Sequence, residues 1–295
     1  MDSVIGRVNV SILGGIMQQI AVIGGSGVYE LEGVKVVKRH LVPTPFGQPS
    51  NEIIEADVAG TKCFFLPRHG EGHKFLPHEV NYRANIYALK TLGVEYILSV
   101  SAVGSLKEEL EPTRFVLVDQ FIDWTRGQRE RTFFGKGIVA HVSNANPVSS
   151  ELQDLIEASC KEKELKYSRG GSYLCIEGPG FSTRAESALY RQFGASVIGM
   201  TNVPESFLAK EAGMAYATIA MVTDYDCWKE EHCTVDEIMK VMKTNNLNAH
   251  KLLMNLIPRL AANRFAVQKE NSFAILTPRE KLSSEQSQIV EMLLK

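Results

Sequence analysis

Residues 213–228 read GMAYATIAMVTDYDCW, an apolar stretch of strand length that runs straight into two aspartates, Asp224 and Asp226. A strand that is apolar on both faces belongs in a largely buried, parallel or mixed sheet covered by helices. On an extended backbone residues i and i+2 point to the same face, so the two carboxylates are expected to line one pocket. Mutual repulsion and burial then raise the pKa of at least one of them. Such a pair at a strand end is costly and points to chemistry, although a strand-end pair that caps the following helix is the plainer reading.

Outward from that strand, short β-branched runs alternate with helical patterns. Strands are expected at 20–25 (IAVIGG), 51–58, 62–68, 95–104 (EYILSVSAVG), 115–123 (FVLVDQFID), 173–178, 196–200 and 216–224. Helical spacing covers 77–93, 149–165, 183–194 and 234–261; the third of these opens on Thr183 with Glu186 three residues on, a capping box. The expected fold is α/β, a single domain with a central mixed β-sheet flanked by helices. No Gly/Ser/Pro linker divides 17–262, residues 1–16 read as a disordered extension, and 263–295 as a tail that packs across a neighbouring surface or lacks order.

The composition suits a soluble protein: 295 residues, 44% hydrophobic, 22% charged, net charge −2. The charge balance argues against a nucleic-acid partner, and apolar runs stop well short of the roughly 18 residues of a membrane span. Five cysteines without a C-x-x-C pair fit a reduced, cytoplasmic setting. Seven histidines show no metal-ligand spacing, so neither a metal nor an organic cofactor is expected.

Several strand ends offer groups suited to an anion. The first strand ends in GGSG, with Ser26 in a glycine turn; Glu30 stands where a dinucleotide fingerprint needs its third glycine. The third ends in RHGEGH, where Arg68 supplies a guanidinium fork and His69 a second donor. The fourth ends in SVSAVGS, with Ser101 and Ala102. IEGPGFSTRAE presents Phe181 and Ser182 before a capped helix, and IGMTNVPES puts Met200 and Thr201 at a strand end with Glu205 at a helix start. In open α/β sheets, ligands bind beyond the carboxyl ends of strands.

The ordered set IAVIGGSG, TPFG, RHG-x-x-H, NYRANIYALK, SAVGS, DQFID, EGP-x-FSTRAE, MT-x-VPE and VTDYDCW resembles the trimeric purine nucleoside phosphorylases, most closely their methylthioadenosine phosphorylase branch, over residues 20–260. The resemblance implies phosphate-dependent cleavage of S-methyl-5′-thioadenosine to adenine and 5-methylthioribose 1-phosphate. By the matching positions, Ser26, Arg68, His69, Ser101, Ala102 (through its N–H) and Thr201 would hold phosphate. Met200 would contact the ribose, and Phe181 and Ser182 would flank the purine. Asp224 would protonate N7 with Asp226 as its partner accepting from N6, the two roles being open to exchange. Adenine offers an N6 donor beside the N7 acceptor, where 6-oxopurines offer two acceptors. His141 and Ile275 or Leu276 of an adjacent subunit, with Val235, Ile238 and Met239 of the long helix, would close an apolar 5′ pocket. The implied assembly is a homotrimer, and its partners are a small nucleoside and phosphate, with no membrane.

Three departures qualify this. Gly180 stands where many members carry Arg, and Ser26 and Ser101 replace the usual threonines. Gly199 stands where adenine-cleaving members often carry Asn and 6-oxopurine-cleaving ones Gly. A 6-oxopurine or methylthioinosine phosphorylase therefore stays open as an alternative, as does a non-catalytic nucleoside-binding protein.

Overall fold

The chain is described by a computed structural model for residues 19–25, 33–229 and 235–295. The expected extension 1–16 and the turn residue Ser26 lie outside the described residues. In chain order the elements are β1 (Gln19–Gly24), β2 (Val34–His40), β3 (Ile53–Val58), β4 (Thr61–Pro67), α1 (Tyr82–Thr91), β5 (Val94–Ser105), β6 (Phe115–Leu117), β7 (Gln120–Trp124), α2 (Ser150–Glu162), β8 (Tyr167–Arg169), β9 (Ser172–Ile176), α3 (Arg184–Gln192), β10 (Val197–Gly199), α4 (Asn202–Glu211), β11 (Ala215–Asp224), α5 (Val235–Ala262) and α6 (Ser284–Leu294).

β5 is the hub of one mixed sheet. It lies parallel to β1 on one side and parallel to β11 along its length, from Ala215↔Tyr96 to Asp224↔Gly104. Its last residues turn antiparallel to β10, with Ile198 opposite Gly104. One path of the sheet runs β2-β3-β4-β1-β5-β10-β9-β7, and β11 leads off it to β6 and β8. The period of two sorts the central strands between two cores. Val22, Leu98 and Ala217 face α2 and α5 with Leu152, Leu252 and Leu256. Ala21, Ile97 and Tyr216 face the other way, with Ile86, Leu208 and Leu293 of α1, α4 and α6. β11 is buried from Ala215 to Thr223, as its unbroken apolar run requires.

The expected single α/β domain is what forms, with local differences. The run 115–123 is two strands: β6 joins β11 and β8, whereas β7 joins β9. The break at Val118–Asp119 is fixed by the Asp119 N–H donating to Gly171 O at 3.1 Å. α1 starts at Tyr82, five residues later than the apolar spacing suggests, because Asn81 caps it by accepting from Ala84 N. The capping box of Thr183 and Glu186 is present. In the tail, α6 buries Ile289, Val290 and Leu293 in the same cluster as Ile86 and Leu89 of α1. Asn271 ties the tail down, its amide donating to Glu211 O and Leu293 O, both at 2.9 Å. No helix among the described residues is long and apolar enough to cross a membrane.

Candidate active site

β5, β10 and β11 converge on Gly104, which is register partner to both Ile198 and Asp224. A Cβ at this position would lie 3.1 Å from Ile198 Cγ2, 3.3 Å from Asp226 Cβ and 3.5 Å from Asp224 Oδ2. Glycine here lets the acid pair close down onto the strand.

The two aspartates meet, but not as consecutive same-face residues of a strand. β11 ends at Asp224 after a register shift, and Asp226 takes a left-handed φ of 53° at the start of a 3₁₀ turn, Asp226–Trp228. A turn, not pleat alternation, brings them together: Asp226 N donates to Asp224 Oδ2 at 2.9 Å, while Thr223 Oγ donates to Asp224 Oδ1 at 2.5 Å. Asp224 thus has a protein donor at each oxygen. Burial pushes the Asp226 carboxyl above the ordinary range, and the neighbouring Asp224 charge adds to the effect. This shift toward the protonated form bears on Asp226, while the sequence reading gives the proton first to Asp224 with the two roles open to exchange. The turn is sealed by Trp228 Nε1 donating to Ser105 O at 2.7 Å, with the Arg191 guanidinium 3.8 Å above the indole.

Three to five residues back along β5, about 10–17 Å, lies a polar cluster. Arg68, at the end of β4, is 1% exposed and so is Glu205 of α4. Arg68 Nε and Nη2 donate to the two Glu205 oxygens at 2.6 and 2.9 Å, Nη2 also to Ser99 Oγ at 2.7 Å, and Nη1 to Val100 O at 3.1 Å. Glu205 also accepts from Ser99 Oγ at 2.7 Å and from the Tyr216 hydroxyl at 2.9 Å. The guanidinium is locked in place with its charge balanced, and one Nη1 hydrogen is left over for a ligand. Ser101 Oγ donates to Asn202 Oδ1 at 3.3 Å, and Ala102 is exposed at the same strand end.

Thr201 occupies the N-cap position of α4, yet its hydroxyl makes no capping bond and is buried without a partner. Capping is the ordinary use of a threonine there, so this hydroxyl is free for something else. His69 is held by its Nδ1–H donating to Phe75 O at 2.9 Å and stacks on His73 with ring centres 4.2 Å apart. A carbonyl only accepts, so the proton sits on Nδ1 and Nε2 is an acceptor in the neutral ring. Burial, aided by the Arg68 charge, pushes its pKa down to about 4. At neutral pH His69 therefore offers a ligand a lone pair, where the sequence reading gives it a donor's role.

Between the two ends, the Met200 thioether fills the space over Gly178, where a Cβ would lie 2.6 Å from its sulfur. Ser182 Oγ is buried without a partner, Phe181 is 88% exposed, and Ser182 O receives the Cys227 thiol at 3.2 Å. That contact stitches the Gly-Pro-Gly loop to the aspartate turn. Sequence reasoning missed Arg129, which fixes this region from beneath. It donates to Glu177 Oε1 at 2.5 Å and to the carbonyls of Met200 and Val203, both at 2.7 Å. In the segment RGQRERTFF nothing distinguishes it from Arg126 or Arg131.

In the expected 5′ wall, the segment carrying His141 pairs with the tail. His141 N donates to Ala274 O at 3.0 Å, Leu276 N to Val139 O at 2.8 Å, and Ala140 bridges Ile275. His141 and Leu276 are exposed. Val235, Ile238 and Met239 fall on the first turns of α5; of their side chains only that of Met239 is described, and it is exposed.

Comparison with known proteins places the chain in a family. The phosphorylase superfamily model matches residues 19–258. The chain is 48% identical over 280 residues to the S-methyl-5′-thioadenosine phosphorylase of Geobacter sulfurreducens, covering 94% of this chain and 98% of that protein. It is 51% identical over 246 residues to that of Thermofilum pendens, covering 83% and 94%. Among solved structures, a methylthioadenosine phosphorylase sourced from an Antarctic soil metagenomic library superposes with a TM-score of 0.89 at 44% identity, over 94% of this chain and 99% of that one. A point mutant of adenosine/methylthioadenosine phosphorylase from Schistosoma mansoni, in complex with methylthioadenosine, superposes with a TM-score of 0.79 at 37% identity, over 83% and 92%. The chain belongs to the phosphorylase superfamily.

Proposed function

We propose that the protein cleaves S-methyl-5′-thioadenosine with inorganic phosphate, releasing adenine and 5-methylthioribose 1-phosphate. The observation that carries this reading is the acid pair at Gly104, with one carboxyl served by two donors and the other pushed toward its neutral form. Adenine presents an N7 acceptor next to an N6 donor. A neutral Asp226 donates to N7 and an ionised Asp224 accepts from N6. A 6-oxopurine would set an acceptor against that carboxylate.

Phosphate is held at the other end by Ser26, Arg68, His69, Ser101, the Ala102 N–H and Thr201, beneath the ribose that Met200 contacts. The purine sits between Phe181 and Ser182. The unpartnered Thr201 hydroxyl and the spare Arg68 hydrogen support this placement. A phosphate oxygen attacks C1′ as the C1′–N9 bond breaks through an oxocarbenium-like state. The bonding pair leaves with the base, and the proton delivered to N7 neutralises it. With His69 neutral, the proton of hydrogen phosphate points to its Nε2. The reaction calls for no metal or organic cofactor, phosphate being a co-substrate.

The working unit in this reading is a cytoplasmic homotrimer, in which His141 and Ile275 or Leu276 of one subunit, with Val235, Ile238 and Met239 of its neighbour, enclose the methylthio group. The exposure of His141 and Leu276, and the unpaired state of Cys63, Cys160, Cys175 and Cys227, support it. The test is base release from methylthioadenosine, methylthioinosine, adenosine and inosine, side by side, with and without phosphate. Adenine released fastest from methylthioadenosine, and only with phosphate, is the expected result. Faster hypoxanthine release would overturn the base assignment, and no release at all would leave a binding protein.

A further inference from the structure

Gly199 is the one motif position whose residue speaks for a 6-oxopurine substrate, and its surroundings give it another cause. Its backbone is outside the left-handed region, so no φ requires glycine. The obstacle is a side chain: a Cβ on residue 199 would lie 1.9 Å from the Tyr173 hydroxyl oxygen and 2.5 Å from Cζ. β9 and β10 run parallel with Tyr173 beside Val197 and Cys175 beside Gly199. From its place on β9, the fully buried Tyr173 side chain reaches across Gly199. Its hydroxyl then accepts from Thr201 N at 3.4 Å.

The turn carrying Met200 and Thr201 is thereby gripped twice. Arg129 holds the carbonyls of Met200 and Val203, and Tyr173 holds the Thr201 N–H. Within this turn, Thr201 carries a buried hydroxyl with no hydrogen bond to satisfy it.

We propose that Tyr173 is a positioning residue of the phosphate pocket, and that its hydroxyl, rather than a preference for 6-oxopurines, is what makes position 199 a glycine. The inference rests on the phosphorolysis reading for the role of Thr201. It separates two properties: Gly199 belongs to the packing of Tyr173, and base choice belongs to Asp224 and Asp226.

Four variants test it: Tyr173→Phe, Tyr173→Val, Gly199→Asn, and Tyr173→Val with Gly199→Asn. Steady-state rates are measured against phosphate and against methylthioadenosine, and binding of inorganic phosphate is followed by calorimetry. Tyr173→Phe is expected to weaken phosphate roughly 3- to 10-fold, the value of one hydrogen bond, in KM and in Kd. The nucleoside KM and the ratio of adenine to hypoxanthine release stay within about twofold. Gly199→Asn is expected to cost roughly 10- to 100-fold in kcat/KM for phosphate by overpacking, and Tyr173→Val in the same chain to restore most of it, more than Tyr173→Val by itself would predict. Unchanged phosphate affinity in Tyr173→Phe overturns the positioning role. Full activity of Gly199→Asn beside an intact Tyr173, or a swing toward hypoxanthine release in any variant, overturns the account of Gly199. If the wild-type protein cleaves no nucleoside, phosphorolysis fails, and calorimetry with phosphate still decides for or against Tyr173.

Discussion

Replacing Glu205 with glutamine isolates the buried ion pair beneath the proposed phosphate pocket. The carboxylate receives two bonds from Arg68, one from Ser99 and one from Tyr216, all from donors. An amide keeps the shape but removes the charge and turns one acceptor into a donor facing donors. Arg68, 1% exposed, would be left without its counter-charge. Breaking a buried pair in this way costs about 3–5 kcal/mol. For a domain of this size that is a fall in Tm of roughly 6–20 °C. The informative control is the double variant Arg68→Met, Glu205→Leu, since apolar replacement of a whole buried pair is often neutral or stabilising. It should recover Tm to within a few degrees while the KM for phosphate stays at least roughly tenfold raised, because a charged hydrogen bond to the anion is gone. Denaturation midpoints and phosphate-dependent initial rates on the same preparations read both effects. A double variant that binds phosphate normally would refute Arg68 as a ligand. An unchanged Tm in Glu205→Gln would refute the role of Glu205 as the buried counter-charge of Arg68.

Asp226→Asn should lower kcat/KM by about 10²–10³-fold, the usual share of a general acid. It should also abolish a limb of the profile on which activity falls as pH rises through the raised pKa of Asp226; a limb that survives the substitution assigns the acid elsewhere. Gly104→Ala pushes a methyl against Ile198, Asp224 and Asp226, so kcat should fall at least roughly tenfold with the KM for phosphate little changed; a rise in phosphate KM would count against the separation of the two ends. Glu211, half-buried with Thr132 Oγ and Phe133 N as its donors, is pushed up by desolvation to about 7. Its folded value lies above its unfolded one, so its contribution to stability is complete below about 4.5 and lost as pH rises through about 7. Glu211→Gln should flatten the stability–pH curve in that window by up to about 1.4 kcal/mol per pH unit, and denaturant titrations from pH 4 to pH 8 (about a unit apart) would check it.

The central strands and the capped helices could be read from residue pattern, because β1, β5 and β11 carry largely apolar runs and Ser149 and Thr183 stand at helix starts. β2 escaped because it is an edge strand with its side chains in solvent, so VKVVKRH has no buried face to print a period on it. The split between β6 and β7 was hidden because both pieces are β-like, and only their partners differ. At the site, the residue types at the strand ends were legible, but their states were not. The proton preference of Asp226 depends on burial and a left-handed turn, and the tautomer of His69 on a carbonyl six residues away. Arg129, Tyr173 and Glu205 act through contacts 28 to 137 residues distant in sequence, which no local pattern announces.

The pairing of 139–141 with 274–277 joins segments 138 residues apart. His141 takes its backbone placement from the tail, and neither reaches the junction at Gly104. In the proposed reading, substitutions around the exposed Leu276 can therefore retune which 5′ substituent is admitted while the acid pair at Gly104 is left as it was. Selectivity at one end of the nucleoside and chemistry at the other then become separately heritable, and a library confined to that exposed stretch would sample the first while sparing Ile289, Val290 and Leu293, which pack against α1.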